Sequence, residues 1–383
     1  MNIKGIRGLS VILVALIMIA GGCASEKLST PAEVRGTWLT TTANDAIASP
    51  VKTAATMKRL RDIGLNTVYV ECWKNGYTEF PSDVMREAIG VLMKVNPSPG
   101  GPAIQRDLLA ESVREAHRNG LRCIAWFEYG FMAAYKDTHN ELRARRDWIV
   151  LNQDGGDVAK NGFVWLNPLH PDAQNLLIGI VVEAVKKYDL DGVQLDDRIV
   201  WPSLEMGYDD FTKKAYAAEH DGKQPPADIR DAQWCAWREK KVSEFARRFV
   251  REVRQANPKI VISLSPGPHP WAKENYLCDW PAWSRWDRRG GETWDEFIPQ
   301  CYRLNYADFA KSWQDQLAAI GSRRKDLIAG IRVVGDGPDL SWDDLKKSIE
   351  LTRASGAGGH CLWFSRGVLD LYPEQLKAFY RSR

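Results

Sequence analysis

Eight times between Val34 and the C-terminus, a short stretch of strand composition is followed by a longer stretch of helical composition. VRGTWLTT (34–41), LNTVYVECW (65–73), LRCIAWFEYG (121–130), LDGVQLDDR (190–198), KIVISLSPG (259–267), EFIPQCY (296–302), LIAGIRV (327–333) and GHCLWFSRG (359–367) supply the strands. Between them lie amphipathic runs such as RDLLAESVREAHRNG and DAQNLLIGIVVEAVKKY. Repeated alternation of this kind forces parallel strands with crossover helices, and eight units is the count of a (β/α)8 barrel. The expected fold is therefore α/β: one TIM-barrel domain over residues 33–383 with long βα loops.

Loop lengths carry a second, independent argument. Helix-to-strand connections are terse, with Gly64 leading directly into Leu65, Gly120 into Leu121 and Pro258 into Lys259. Strand-to-helix connections are long, roughly 74–102, 131–169, 199–230 and 268–295. Short loops at one end of a barrel and elaborate ones at the other suit an enzyme whose chemistry lies at the C-terminal ends of the strands. A doubly wound sheet with a lid would give no reason for eight units.

The first residues read as a targeting segment rather than as fold. Lys4 and Arg7 form a basic start, Leu9 to Ala20 an apolar core too short for a comfortable membrane span, and the run closes on IAGGC. Small residues before Cys23 look like a bacterial lipobox, so residues 1–22 are expected to be a signal peptide, Cys23 the lipidated residue and 23–32 a tether. Ala24 and Ser25 follow Cys23, without the aspartate that often retains lipoproteins at an inner membrane. The expected location is the cell envelope, at the outer membrane if the organism has one.

Composition narrows the partners. A formal charge of +3 spread over 383 residues does not point to nucleic acid. Cys72, Cys123, Cys301 and Cys361 lie in apolar strand-like runs, where cysteine acts as a small hydrophobe. No CxxC or HExxH spacing occurs, the six histidines show no ligand pattern, and no GxSxG elbow is present. No metal or cofactor is expected. A metal-dependent deacetylase would need a His/Asp cluster that the sequence does not assemble.

Strand alternation sorts the acids. With Val193 and Leu195 facing the helices, Gln194 and Asp196 face the barrel axis. The same parity turns Tyr69 and Glu71 inward on the second strand, and Trp126 and Glu128 inward on the third. Three strands thus deliver Glu71, Glu128 and Asp196 to one rim. Carboxylates held close together cannot all ionise, and a pair with split protonation is what glycosidic cleavage requires. Asp196 is the expected nucleophile or base and Glu128 the expected general acid. Glu71 is expected to support them, unless both glutamates are ion-pair partners of Arg35, Arg332 or Arg366. Asp197 points away by parity and is expected to orient a neighbour.

Sixteen tryptophans are present, and sugar rings stack their C–H faces on aromatic faces. Trp73, Trp126, Trp201, Trp271 and Trp363 are candidate platforms, and His269, beyond the fifth strand, is a candidate substrate neighbour. Gln300 and Tyr302 share the inward parity of the sixth strand and are candidate hydrogen-bonding partners of a sugar or of the nucleophile.

Several of these segments resemble the glycosyl hydrolase-like family ten lipoproteins. EVRGTWLTT is similar to that family's RGxW strand, IAWFEYGF to its AWF strand, WLNPLHPDAQN to its NP…P helix entry, DGVQLDD to its DGIxxDD strand, ISLSPG to its ISP strand and FIPQCY to its IPQxY strand. The resemblance runs in order over about residues 33–367. It implies a barrel related to the amylase-like hydrolases and cleavage of bacterial cell-wall glycans. The amylase-like G-x-R-x-D strand matches Gly192, Gln194 and Asp196, with Gln194 in place of the arginine. Ser265 and Pro266 stand where those enzymes keep an acid at the end of the fifth strand. The expected function is hydrolysis of a cell-envelope polysaccharide, with peptidoglycan glycan strands as the leading substrate. The alternative is a noncatalytic glycan-binding lipoprotein on a degenerate barrel.

Overall fold

The computed structural model describes residues 31–95, 105–287 and 291–382. The expected signal peptide (1–22), Cys23 and most of the expected tether (23–32) lie outside the described residues. Eight parallel strands form one sheet: β1 (Val34–Leu39), β2 (Thr67–Glu71), β3 (Arg122–Phe127), β4 (Gly192–Asp196), β5 (Val261–Ser265), β6 (Glu296–Phe297), β7 (Ile328–Arg332) and β8 (Gly359–Trp363). Neighbours in sequence are neighbours in the sheet, β8 pairs with β1, and the Phe297↔Leu327 and Gln300↔Gly330 bridges draw β6 to β7. The ring is thus a nearly closed (β/α)8 barrel, as the alternation of segments predicts.

Two units depart from regularity. β6 ends at Phe297 although strand composition continues to Tyr302, because Pro299 has no N–H to give to a ladder. The chain still follows the barrel wall: Gln300 N donates to Pro266 O and Gly330 N to Pro299 O. After β5 the crossover is made by two short helices, Trp271–Tyr276 and Trp280–Trp283, instead of one of barrel length. Trp280, Trp283 and Trp294 are fully buried there, packed against Phe249 and Phe297, so most tryptophans of this segment form its own core.

Helix ends follow from local chemistry. Helix Pro50–Ile63 starts on Ser49, whose side chain accepts from Lys52 N, and stops at Gly64, whose φ of 112° is left-handed. Helix Pro171–Lys187 starts on His170 with proline at its first turn. On the outer faces of the strands Val68, Val70, Cys123, Phe127, Val193 and Leu195 are buried beneath the helices.

The barrel interior is aromatic and polar rather than aliphatic. Deep inside, Glu296 accepts from Tyr69 Oη at 3.1 Å and from Arg122 Nη2 at 3.1 Å. Above it Trp38 Nε1 donates to Gln194 Oε1 at 2.8 Å, and Gln194 Nε2 to Ser263 Oγ at 2.9 Å. Gly36 leaves room for these side chains, because a Cβ there would lie 2.9 Å from the Tyr69 ring and 3.0 Å from Cys361 Sγ. A buried ion pair broken from one side leaves an uncompensated charge, which typically costs about 3–5 kcal/mol. Glu296→Ala strands Arg122 in this way and is expected to lower stability by an amount of that order, read from chemical denaturation.

Candidate active site

The C-terminal rim gathers four carboxylates and two cations. β4 carries Asp196 at its end, and both carboxylate oxygens are fully engaged. Oδ2 accepts from Arg198 Nη1 at 2.8 Å and Trp126 Nε1 at 3.2 Å, and Oδ1 accepts from Gln300 Nε2 at 2.6 Å and Asp197 N at 2.9 Å. Burial, and then the adjacent charge of Asp197, push Asp196 up to about 7, against the pull of Arg198.

Glu128 lies just beyond β3, where the chain turns at Gly130 with φ of 47°. A Cβ on Gly130 would sit 2.3 Å from Arg198 O, so only glycine lets the turns after β3 and β4 touch. Phe131 N donates to Arg198 O at 2.8 Å, and Arg198 Nη1 to Glu128 O at 3.1 Å, which stitches the two turns together. The Arg198 guanidinium also lies 3.3 Å from Glu128 Oε1. Glu128 Oε2 is buried and makes no hydrogen bond of good geometry, the nearest cation being Lys74 Nζ at 3.3 Å. Burial first, and the charge of Glu71 second, raise Glu128 well above the carboxylate range, which favours its neutral form beside Glu71.

Glu71, at the end of β2, is the ionised partner. Burial opposes its charge, but hydrogen bonds from Glu128, Lys74 and Thr41 outweigh it and hold Glu71 below the usual range. Lys74 Nζ lies 2.7 Å from Glu71 Oε1 and 3.3 Å from Glu128 Oε2. The glutamates are therefore in ion pairs, but with Lys74 and Arg198. Arg332 instead donates to Asp336 O and Pro338 O, Arg366 faces Asp339, and Arg35 lies over the Tyr380 ring.

Lys74 had no signal in strand parity, because it belongs to a hairpin, Trp73–Lys74 with Tyr77–Thr78, beyond the strand. Only its spacing of three from Glu71 hints at the pair.

Asp197 departs from the parity reading. It stands one residue past the end of β4, where alternation no longer applies, and it lines a recess of about 50 Å³ with Arg198, Asn161, Trp165, Trp271 and Tyr276. Its side chain is 32% exposed, against 4% for Asp196. Oδ1 of Asp197 has no hydrogen-bond partner, the nearest cation being Arg198 Nη1 at 3.7 Å.

The aromatic candidates divide. Trp271 is 48% exposed at the mouth of the recess, 5.2 Å from Tyr276. Trp363 stacks on Tyr302 at 5.6 Å and packs edge-on to Trp126, forming a wall beside Asp196. Trp126 is buried and spends its indole N–H on Asp196, so it holds a carboxylate rather than a sugar. Trp73 and Trp201 are wholly buried, which corrects their reading as platforms: Trp73 Nε1 caps Gly130 O, and Trp201 Nε1 caps Met206 O. His269 has its backbone N–H and carbonyl clasped by the Gln316 amide, and the charges that act on its ring are Asp279, Lys273, Glu274 and Arg285 rather than the rim acids. Among the described residues no group of three or more His, Cys, Asp or Glu is placed to hold a metal ion.

Residues 33–332 match the family model described as glycosyl hydrolase-like 10. The chain belongs to that family. Among relatives of the glycosyl hydrolase-like 10 chain, the glycosyl hydrolase DigH of Escherichia coli (strain K12) is 25% identical over 353 residues, covering 80% of this chain and 72% of DigH. The glycosyl hydrolase YngK of Bacillus subtilis is 24% identical over 251 residues, covering 61% of this chain and 45% of YngK. In structure the chain is similar to the PgaB (BpsB) glycoside hydrolase domain of Bordetella bronchiseptica, with a TM-score of 0.65 at 14% identity over 91% of this chain and 97% of that one. It is also similar to the catalytic domain of β-amylase from Paenibacillus polymyxa, with a TM-score of 0.61 at 10% identity over 90% and 96% of the two chains. Both likenesses are of fold.

A raised carboxyl makes stability depend on pH with a definite sign. Asp196 titrates near 7 in the folded chain and near the ordinary ~3.9 of aspartate when unfolded. The folded state therefore binds more protons between those values, and the contribution present below about pH 4 is lost as pH rises through about 7. The thermal midpoint is expected to fall from pH 5 to pH 8. Asp196→Asn should flatten that fall in part, leaving the share that belongs to Glu128.

Proposed function

We propose that this protein is a glycoside hydrolase acting on a cell-envelope polysaccharide, with the glycan strands of peptidoglycan as the leading substrate. The observation that carries this reading is the convergence of Glu71, Glu128, Asp196 and Asp197 around Lys74 and Arg198 at the rim, an arrangement that divides protonated from ionised carboxyls because all four cannot ionise together. Glu128 is a buried acid kept neutral by burial and by Glu71, and it stands across Arg198 from the aspartates at the end of β4. Glycosidic hydrolysis needs that division: an acid gives its proton to the departing oxygen while an ionised carboxylate faces the developing positive charge. Family membership, and relatives named as glycosyl hydrolases, support the same class. An envelope substrate is supported by the leader and by Cys23, which we propose carries the lipid that tethers the barrel to the membrane, the outer one where there are two. Glu128 is assigned as general acid. Glu71 and Lys74 set its proton, and Trp271, Trp363 and Tyr302 line the sugar's path.

Ser265 favours a second reading, a glycan binder without catalysis, because it leaves the end of β5 without an acid. Incubation with peptide-free glycan strands, followed by mass spectrometry of the products, separates the two. New reducing ends are expected; strands bound but uncut would establish the binder. Removal of a general acid costs about two to four orders of magnitude in rate, so Glu128→Gln is expected to lower kcat by that much while the fold persists. Activity should also fall in alkali, as Glu128 loses its proton, and in acid, as Asp196 gains one and loosens its hold on Arg198.

A further inference from the structure

DGVQLDDR offers two adjacent acids, and only one can be the group that meets a sugar. A carboxylate has about four lone-pair sites. Asp196 has four donors on its two oxygens: the Arg198 guanidinium, the Trp126 indole, the Gln300 amide and the Asp197 backbone N–H. To reach a sugar it would have to abandon at least one of them. The Arg198 contact, at 2.8 Å, is a charge-assisted one and the shortest that the guanidinium makes with the rim acids.

Asp197 has the complementary properties. It faces the aromatic recess of Trp165, Trp271 and Tyr276, and its side chain is open to solvent. Its Oδ1 is buried without a donor, so the exposed edge of the carboxylate is Oδ2, the oxygen that a substrate in the recess would meet. Glu128 Oε1 and Asp197 Oδ1 lie 3.3 and 3.7 Å from the same Arg198 Nη1, so they are at most the two lengths end to end, about 7 Å, apart. That limit admits the carboxyl separations used in glycoside cleavage, about 5–5.5 Å or about 6.5 Å upward.

We propose that Asp197 is the reacting carboxylate and that Asp196 is a positioning residue, fixing Arg198 and the Asp197 backbone while remaining out of contact with the sugar. This rests on the hydrolase reading above. The bond from the anomeric carbon to the departing oxygen breaks and that oxygen takes the Glu128 proton. Water oxygen bonds to the carbon, and the water proton passes to Asp197. Asp196 gains and loses nothing.

Chemical rescue tests the division of labour. Asp197→Ala, Asp196→Ala and Asp196→Asn are assayed on peptide-free peptidoglycan glycan strands with and without sodium azide, each variant first shown to unfold cooperatively. Asp197→Ala is expected to lose about two to four orders of magnitude in kcat. Azide should restore tenfold or more, its nitrogen bonding to the anomeric carbon, so that new chain ends carry azide instead of a reducing hydroxyl. The Asp196 variants are expected to be slow, shifted in pH profile and unmoved by azide; Asp196→Asn, which keeps the shape of the side chain, stands in where alanine does not fold. Azide ends formed by an Asp196 variant and not by Asp197→Ala, or Asp197→Ala within tenfold of wild type, overturn the assignment and leave the hydrolase standing. Wild-type protein that leaves the strands intact overturns both.

Discussion

Two cations hold the rim together. Four carboxyl groups, Glu71, Glu128, Asp196 and Asp197, converge at one end of the barrel, where water is largely excluded and like charges repel strongly. Lys74 lies against Glu71 and Glu128, and Arg198 against Glu128, Asp196 and Asp197. Two positive charges cannot neutralise four negative ones, so at least one acid must keep its proton. Glu128 is in the deepest deficit, since burial and Glu71 both act against its charge. The protonation pattern is thus a consequence of burial and crowded charge that two cations only partly offset, and the chemistry proposed for the rim follows from it.

Such a cluster persists only on a rigid base. Below the rim the barrel is filled by Trp38, Tyr69, Trp126, Arg122, Glu296 and Gln194, most of them joined by hydrogen bonds across the interior. Large rings with polar ends suit this position: they fill volume as aliphatic residues would, yet supply N–H groups aimed at fixed acceptors. Trp38 and Trp126 lie 6.4 Å apart in successive layers, one donating to Gln194 and the other to Asp196. The same residues that close the barrel therefore aim the carboxylates.

Legibility in the sequence followed the regularity of the backbone. Where the chain is a strand, a period of two sorts inside from outside, and the inward residues Tyr69, Glu71, Trp126, Gln194 and Asp196 are linked across the interior or at the rim. One residue past a strand end that rule is no longer binding: Glu128 still keeps its parity, but Asp197 lines the recess despite its own, and Lys74 enters the cluster from a hairpin with no periodic signal. Loop tryptophans were equally opaque. Trp73 and Trp271 both lie beyond strand ends, yet one is wholly buried to cap Gly130 O and the other is half exposed. Composition gives a ring's affinity for sugars but not the direction in which it points.

The end of β5 shows how a departure from a related pattern can be absorbed. Ser265 pairs in register with Asp196, so a long acid there would project into the space where Gln300 Nε2 meets Asp196 Oδ1 and Ser265 O. With a serine, that space belongs to a neutral amide from the sixth strand, which donates to Asp196 and adds no charge to a rim already short of cations. On the proposed mechanism the acid comes instead from the turn after β3, where Gly130 permits the contact with Arg198 that holds Glu128 in place. An acid placed after the third strand, as proposed, thus rests on a glycine turn and on an arginine long enough to span both sides of the rim.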